Sequence, residues 1–146
     1  KSPEMTVQQL EVTAEGFQEY VAFASDHGFL VGPENHFGPA LAVSNLLALK
    51  DAVGSPAFGI LLHIGHWEQD PDQSDAFAAP WAMHTHVDQR ACETATEEKL
   101  RRLLAAGYRG YWGVEHHSGI DEYAEVACQL AAVCRALTRI ERGSKQ

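Results

Sequence analysis

Residues 58–67, FGILLHIGHW, decide the fold because they join a buried strand to two histidines. The apolar run at residues 58–62 has the length and composition of a strand buried on both faces, as in a parallel sheet covered by helices. His63 and His66 follow at the carboxyl end of this run. Histidines in that position are either hydrogen-bonded parts of the core or the beginning of a site.

The composition predicts one globular domain over residues 1–146, because 45% of the chain is hydrophobic and 21% is charged. The formal net charge of −9 argues against a nucleic-acid partner, which would need a basic surface. No apolar run approaches the roughly 18 residues of a membrane span, so no membrane partner is expected. The three cysteines, Cys92, Cys128 and Cys134, lack metal or redox spacing. Cys128 and Cys134 lie in a helical pattern and are expected to be reduced, half-buried thiols of a cytoplasmic protein.

Strand and helix patterns alternate along the chain. Strands are expected at residues 29–31, 58–62, 80–87 and 111–114. Helices are expected to begin at Thr13, at Pro39, at the capping-box sequence TATE of residues 94–97, and near Asp121. A helix followed by four strand–helix units predicts an α/β fold with a parallel sheet.

Each strand candidate ends in a polar cluster, and these clusters contain seven of the eight histidines. The clusters are Glu34, Asn35 and His36; His63 and His66; His84, His86 and Asp88; and Glu115, His116 and His117. One residue from each, Glu34, His63, His86 and Glu115, gives spacings of 29, 23 and 29 residues. A (β/α)8 barrel of typical length has about 31 residues per unit, so the spacing indicates barrel periodicity with one short unit.

Carboxyl ends of parallel strands meet at one edge, where α/β proteins place their sites. Two carboxylates and two imidazoles converging there would repel or stay unpaired without a cation, so we interpret the four residues as ligands of a divalent metal. Mixed nitrogen and oxygen donors favour Mn²⁺, Fe²⁺, Co²⁺ or Zn²⁺ over Mg²⁺. A single strand-end histidine would more simply be structural, but four strands ending in this way favour a metal site.

Four runs then resemble a known family: GPENHFG (32–38), GILLHIGHW (59–67), MHTHVD (83–88) and GVEHHSG (113–119). They are similar to the xylose isomerase-like TIM barrels, also called the sugar phosphate isomerase/epimerase family. The resemblance covers roughly residues 13–140 and corresponds to the C-terminal half of that barrel. It implies a parallel (βα)4 half of a TIM barrel whose metal ligands follow the family's fifth to eighth strands: Glu34, His63, His86 and Glu115.

The chain departs from the family pattern at two positions. The family usually has aspartate where this chain has His63, which removes one negative charge and favours a soft-to-borderline metal over Mg²⁺. The family often follows its seventh-strand histidine with a Lys-Asp pair, whereas here Val87 is followed by Asp88 and Gln89. The absent lysine could have held a phosphate or carboxylate, so a phosphorylated sugar is not implied.

The implied reaction is isomerisation or epimerisation of a sugar or polyol through an enediolate. Glu34 and Glu115 would be the catalytic base and acid on opposite faces of the substrate. Substrate contacts would come from the remaining residues at the strand ends: His36, His66, Trp67, His84, Asp88 and His117. For Trp67 the alternatives are stacking on a sugar and packing in the core.

Other functions remain open at this point. A lyase or dehydratase acting on a keto-sugar or an inositol-like ring would use the same enediolate to expel a β-hydroxyl. A phosphodiesterase acting on abasic DNA would need several metals and a basic surface, and the net charge of −9 argues against it. A catalytically silent half-barrel that binds a partner is a further alternative, which the departure at His63 keeps open.

Four strands cannot close a barrel of this family, and they would expose two sheet edges to association. The chain begins at Lys1 rather than Met, so we first expect that it is part of a longer chain. Pairing of two copies is the second expectation, and a separate protein supplying the other half is the third. A homo-oligomer or an association with a missing barrel half is therefore expected beside the small-molecule substrate.

Overall fold

The computed structural model describes residues 4–116 and 119–143. Its helices are α1 (Val7–His27), α2 (Val43–Val53), α3 (Pro71–Ala78), α4 (Gln89–Glu93), α5 (Thr96–Ala105) and α6 (Glu122–Gly143). Its strands are β1 (Ile60–His63), β2 (Ala82–Val87) and β3 (Tyr111–Val114), and short 3-10 turns lie at Gly38–Leu41 and Ala79–Trp81. In these two ranges, no helix has both the length and the apolar character needed to traverse a lipid bilayer.

The three strands form one parallel sheet in the order β1-β2-β3, which confirms the predicted α/β class. Helices alternate with strands, as parallel pairing requires. The register places His63 opposite His86 and His86 opposite Gly113. Two of the predicted strand-end histidines are therefore direct neighbours across the sheet.

The expectation of four strands is wrong in the first unit. Residues 29–34 run beside β1 only through isolated parallel bridges, Val31 to Phe58 and Glu34 to Leu61. Pro33 has no N–H for a continuous ladder. Gly32 packs so closely on β1 that an added Cβ would lie 1.6 Å from the Gly59 carbonyl oxygen. The bridged segment still delivers Glu34 to the carboxyl end of the sheet.

Two clusters of buried apolar residues hold the fold together. One brings residues of β1 and β2 together with residues of α5 and α6 and includes Ile60, Leu62, Leu100 and Val133. The other joins α1 to α2 and to the start of the sheet. Burying one such side chain contributes about 1.5–3 kcal/mol, so these clusters fix the strands that position the site.

One predicted helix start is wrong, and one predicted capping box does not form. Thr6, not Thr13, caps α1: its side chain accepts from the Gln9 backbone N–H, and the Gln9 side chain accepts from the Thr6 N–H. Helix α5 begins at Thr96, within residues 94–97 as predicted, but its N-cap is Ala95, which has no side chain that could form the capping box. Thr94 donates its hydroxyl to the Arg90 carbonyl of α4. The additional helix α4 is capped instead by Asp88.

The other helices follow the predicted pattern with shifted bounds. Pro39 lies in the 3-10 turn Gly38–Leu41, whereas α2 itself runs from Val43 to Val53. Gly54, in the left-handed conformation, caps the end of α2 as expected. Asp121 precedes α6 as expected, since its carboxylate accepts from the Ala124 N–H. All three cysteines are free thiols; Cys92 is half-buried, but Cys128 and Cys134 are exposed, so the expectation that these two are half-buried is wrong.

Candidate metal centre

Four donor side chains from successive units meet at the carboxyl end of the sheet. The Nδ1 atom of His86 lies 2.9 Å from Oε1 of Glu34 and 3.3 Å from Oε2 of Glu115. The Nδ1 atom of His63 lies 3.3 Å and 3.4 Å from the same two oxygens. The four residues predicted as metal ligands thus form a ring in which nitrogen and oxygen donors alternate.

The size and chemistry of this ring fit a small divalent ion. A metal with bonds of about 2.0–2.2 Å to nitrogen and oxygen holds adjacent donors roughly 3.0–3.5 Å apart, and the ring distances are 2.9–3.4 Å. Two carboxylates supply negative charge, and two imidazoles supply neutral nitrogen. Mn²⁺, Fe²⁺, Co²⁺ and Zn²⁺ accept such mixed donors, whereas Ca²⁺ prefers oxygen alone.

His36 is a fifth donor at the same place. Its Nδ1 lies 3.2 Å from Oε1 of Glu34. Glu34, His36, His63 and Glu115 can each offer one ligand atom, and these four atoms lie within 4.8 Å of one another. The sequence assigned His36 to the substrate, whereas the geometry places its Nδ1 beside the ring. His36 and His86 are therefore alternatives for the fourth ligand, beside Glu34, His63 and Glu115.

The charges around Glu34 keep its carboxylate ionised. Burial raises the pKa of Glu34, but hydrogen bonds from His36 and His86 outweigh burial, so the pKa lies below its ordinary value. An ionised carboxylate is the form that binds a metal. The environment of Glu34 therefore favours the state that ligation requires.

Behind the ring, His63 faces a third carboxylate. Its Nε2 lies 3.6 Å from Oδ2 of Asp88, and the His63 side chain is 4% exposed. Burial lowers the pKa of His63, but the neighbouring carboxylates, Asp88 foremost, outweigh burial and raise it. Asp88 was expected to contact substrate, whereas the structure directs its two oxygens to His63 and to the Ala91 N–H.

Asn35 fixes the segment that carries His63. This side chain is fully buried, and its Oδ1 accepts from the His63 N–H at 2.7 Å. Its amide nitrogen donates to the carbonyls of His63 and His66 at 2.9 and 3.1 Å. Sequence reasoning placed Asn35 in a polar cluster without a role, because its partner is the backbone of a residue 28 positions later.

Trp67, which the sequence left between sugar stacking and the core, lies in the core and does not face the ring as a substrate platform. Trp67 is 7% exposed and belongs to the core cluster. Its indole N–H donates to Asp75 at 2.7 Å, and the same carboxylate accepts from the Gly65 N–H. Asp75 lies on α3, and no sequence pattern identified it as the residue that anchors this loop.

Three further histidines were predicted to contact substrate. His66 stacks on His36 at 5.1 Å between ring centroids. Burial, and then the neighbouring His63 imidazole, lowers the pKa of His66. His84 lies beside His86 and over Gly113, where an added Cβ would be 2.4 Å from His84 Nε2. His117 lies outside the described residues, so its predicted role stays a prediction.

The last donor, Glu115, is held from the side of α6. The buried Gln129 donates its amide to the Glu115 carbonyl at 3.1 Å. The next residue, His116, pairs with Glu125 of the same helix. Helix α6 therefore fixes the backbone that aims Glu115 at the ring, a contribution that the sequence pattern did not identify.

Comparisons with known proteins show which fold the chain shares. No family model matches the chain, and no curated protein does. Among solved structures, the probable 3-DHS dehydratase AsbF of Bacillus anthracis aligns with a TM-score of 0.67 and 15% identity. A D-allulose 3-epimerase from Methylomonas sp. aligns with a TM-score of 0.68 and 17% identity.

The chain has the fold of part of a xylose isomerase-like TIM barrel. The alignment with the dehydratase includes 86% of this chain, and the alignment with the epimerase includes 96% of it. In both cases it spans 57% of the other chain. The predicted family resemblance is confirmed at the level of the fold, and at these identities the likeness carries no statement about substrate.

Proposed function

We propose that the chain bears the metal and proton-transfer groups of a divalent metal-dependent isomerase or epimerase acting on a sugar or polyol. One observation carries the proposal: the Nδ1 atoms of His63 and His86 both lie within 3.4 Å of the same two carboxylate oxygens. A ring of alternating donors on strand ends is a site for a cation, and the alignment with a D-allulose 3-epimerase supports the reaction class.

In this proposal the ligands are the four predicted residues, with His36 as an additional donor: Glu34, His63, His86 and Glu115. When bound, the ion would polarise a substrate carbonyl and stabilise the negative charge of the enediolate. Mn²⁺, Co²⁺, Fe²⁺ or Zn²⁺ suits the donors better than Mg²⁺.

The two glutamates would exchange protons with the substrate. Glu34 and Glu115 approach the ring from opposite edges of the sheet, since Glu34 lies beside β1 and Glu115 follows β3. Their side chains are 27% and 20% exposed, so each is half-buried but open to a ligand. A base on one face that takes a carbon-bound proton, and an acid on the other face that returns one, would invert a centre.

The half-buried histidines around the ring would hold substrate hydroxyls. His36, His66 and His84 lie beside it, and His117 joins them as a prediction from the sequence. Burial, and then a neighbouring imidazole, lowers the pKa of both His66 and His84. Neutral imidazoles can both donate to and accept from hydroxyl groups, which suits a polyol.

A metal-dependent dehydratase of a keto-sugar or inositol-like ring is the second candidate. The specific observation in its favour is the alignment with the probable 3-DHS dehydratase AsbF, at a TM-score equivalent to that of the epimerase. The first proton abstraction is the same in both reactions. They differ in whether the enediolate is reprotonated or expels a β-hydroxyl.

We also propose that residues 1–146 act as one half-barrel unit that a further structure completes. The sheet has three strands and one bridged segment, and the chain spans 57% of either aligned structure. On the outer strand Tyr111 is 81% exposed, and Tyr123 near it in sequence is 93% exposed. Either a barrel half in the same longer chain or a second copy would cover such groups.

The first experiment measures metal binding by isothermal titration with Mn²⁺, Co²⁺ and Zn²⁺, together with elemental analysis. Near one ion per chain is expected, and Glu115→Gln should weaken binding by at least about 100-fold because it removes a charged ligand. Glu98→Gln is the matched control, since Glu98 is an exposed glutamate on α5. Failure to bind any of these ions would overturn the proposal.

A second experiment tests the reaction. Ketoses and polyols are incubated with the metal-loaded protein in D₂O, and exchange of a carbon-bound proton is followed by NMR. Exchange with stereochemical inversion supports epimerisation, whereas loss of water supports the dehydratase. Metal binding without exchange, and unchanged binding of a partner by Glu115→Gln, would favour the silent half-barrel.

A further inference from the structure

We propose that Asp88 is a positioning residue that fixes the His63 imidazole as an Nδ1 metal ligand. This inference rests on the proposed metal site. Nδ1 of His63 faces Glu34 and Glu115, so it is the nitrogen turned toward the ion. Nε2 points the other way, where Oδ2 of Asp88 lies 3.6 Å from it.

The need for a partner follows from the burial of His63. Its Nε2 is buried and has no partner within hydrogen-bond distance among residues 4–116 and 119–143. An imidazole that gives its Nδ1 lone pair to a metal must carry its proton on Nε2. Metal-binding histidines commonly donate that proton to a carboxylate, which fixes both the ring and the tautomer. Asp88 is the carboxylate placed to accept it.

Asp88 is itself held by a second contact. Its Oδ1 accepts from the Ala91 N–H at 2.7 Å and thereby caps α4. The cap occupies one oxygen and leaves Oδ2 aimed at His63. Because the orientation is set from outside the site, the carboxylate is in place before any ion arrives.

Because of this arrangement, Asp88→Asn separates the role of Asp88 as a helix cap from its role beside His63. Asparagine caps helices as well as aspartate does, so α4 should remain formed. With Oδ1 kept on the Ala91 N–H, the amide nitrogen would take the place of Oδ2 and donate to Nε2 of His63. The proton of His63 would then move to Nδ1, which could no longer bind the ion.

The matched control is Asp121→Asn. Asp121 makes the same kind of cap, accepting from the Ala124 N–H at the start of α6, and it is exposed. The chemical change and the change in net charge are identical. Circular dichroism checks that both variants keep the wild-type helix content.

Two measurements test the inference on the full chain. Zinc affinity is measured by isothermal titration, and Asp88→Asn should weaken it roughly 10- to 100-fold while Asp121→Asn leaves it unchanged. Long-range ¹H–¹⁵N correlation spectra of the zinc-loaded proteins report the state of His63. The wild type should show a zinc-bound Nδ1 and a protonated Nε2, and Asp88→Asn should show a protonated Nδ1.

The outcomes separate this inference from the proposed function. If wild type binds zinc and Asp88→Asn binds it equally well, or if His63 binds through Nε2, the role of Asp88 is overturned and the metal site stands. If wild type binds no ion, the proposed function fails and the role of Asp88 fails with it. A lower affinity accompanied by the tautomer change supports the inference, because a purely structural role would not move the proton.

Discussion

The side chain of Asn35 and the backbone of His63 are joined by two hydrogen bonds, at 2.7 Å to Oδ1 and 2.9 Å from Nδ2. A third bond, from the same amide to the His66 carbonyl, extends this clamp across the turn. The bridged segment and the end of β1 are thereby fixed to each other by one fully buried amide. The relative position of Glu34 and His63 depends on it.

Asn35→Ala should lower both the stability and the metal affinity of the protein. The truncation leaves a buried N–H and two carbonyls without their partner, at a cost of about 2–4 kcal/mol in the free energy of unfolding. Urea unfolding measures the stability, and calorimetric titration measures the affinity. Asn45→Ala is the control, because Asn45 is also buried and bonds to Met5 and Pro39 away from the ring. Equal metal affinities of the two variants would contradict the positioning role of Asn35.

The buried carboxylate of Asp75 should make stability depend on pH. Burial raises its pKa to about 6, so the folded state binds a proton more tightly than the unfolded state. This contribution to stability is complete below about pH 4 and is lost as pH rises through 6. At pH 7 the ionised group then costs up to about 3 kcal/mol.

Asp75→Asn tests this sign, because it keeps an acceptor for Trp67 and Gly65 and cannot ionise. The stability of the variant relative to wild type should improve between pH 4 and pH 7 by about 1–3 kcal/mol. Chemical unfolding at both pH values gives the difference. Asp72→Asn serves as the control, since Asp72 is exposed on the same helix. A relative stability that stays flat or falls with pH would contradict the assignment.

His86 and His36 compete for the place of the fourth ligand, and removing each in turn decides between them. His86 lies within 3.3 Å of a carboxylate oxygen of both Glu34 and Glu115, whereas of these two described glutamates His36 is paired with Glu34. His86→Ala should therefore weaken zinc binding by at least about 100-fold, and His36→Ala by less than about 10-fold. His27→Ala, outside the cluster, should have no effect on calorimetric titration. The reverse order would make His36 the ligand.

Gly32→Ala should disrupt the segment that delivers Glu34. An added Cβ would lie 1.6 Å from the Gly59 carbonyl oxygen, so the backbone must move, at a cost of about 1–3 kcal/mol or more. Gly16→Ala is the contrasting variant, because an added Cβ on α1 meets no atom within 4 Å. It should raise the free energy of unfolding by about 0.5–1 kcal/mol. Thermal unfolding that ranks the two variants in the opposite order would show that Gly32 has room to adapt.

The sequence predicts the framework of this protein well, because its strands and strand-end clusters are local patterns. Residues 111–114 form β3 as expected, and the parallel sheet follows from the alternation of strands and helices. Contacts between residues far apart in the sequence are harder to predict. The hydrogen bonds between the Asn35 side chain and the His63 backbone join residues 28 positions apart, and no periodicity in the sequence indicates them.

The charge of the site is hard to predict from the sequence for the same reason. From the sequence, His63 in place of an aspartate suggests one negative charge fewer. In the folded chain, Asp88 lies behind His63 and brings a carboxylate back to within 3.6 Å. The two residues are 25 positions apart and adjacent only because β1 and β2 pair in parallel.

The four donors lie in one continuous stretch of chain, from Glu34 to Glu115, and come from successive units of the fold. A gene fragment encoding this stretch would carry the complete donor set wherever recombination placed it. The structure that closes the barrel would then shape the choice of substrate without supplying a donor. Chemistry and specificity would be inherited separately, and chimaeras with exchanged halves would reveal this as new substrate preferences at constant metal affinity.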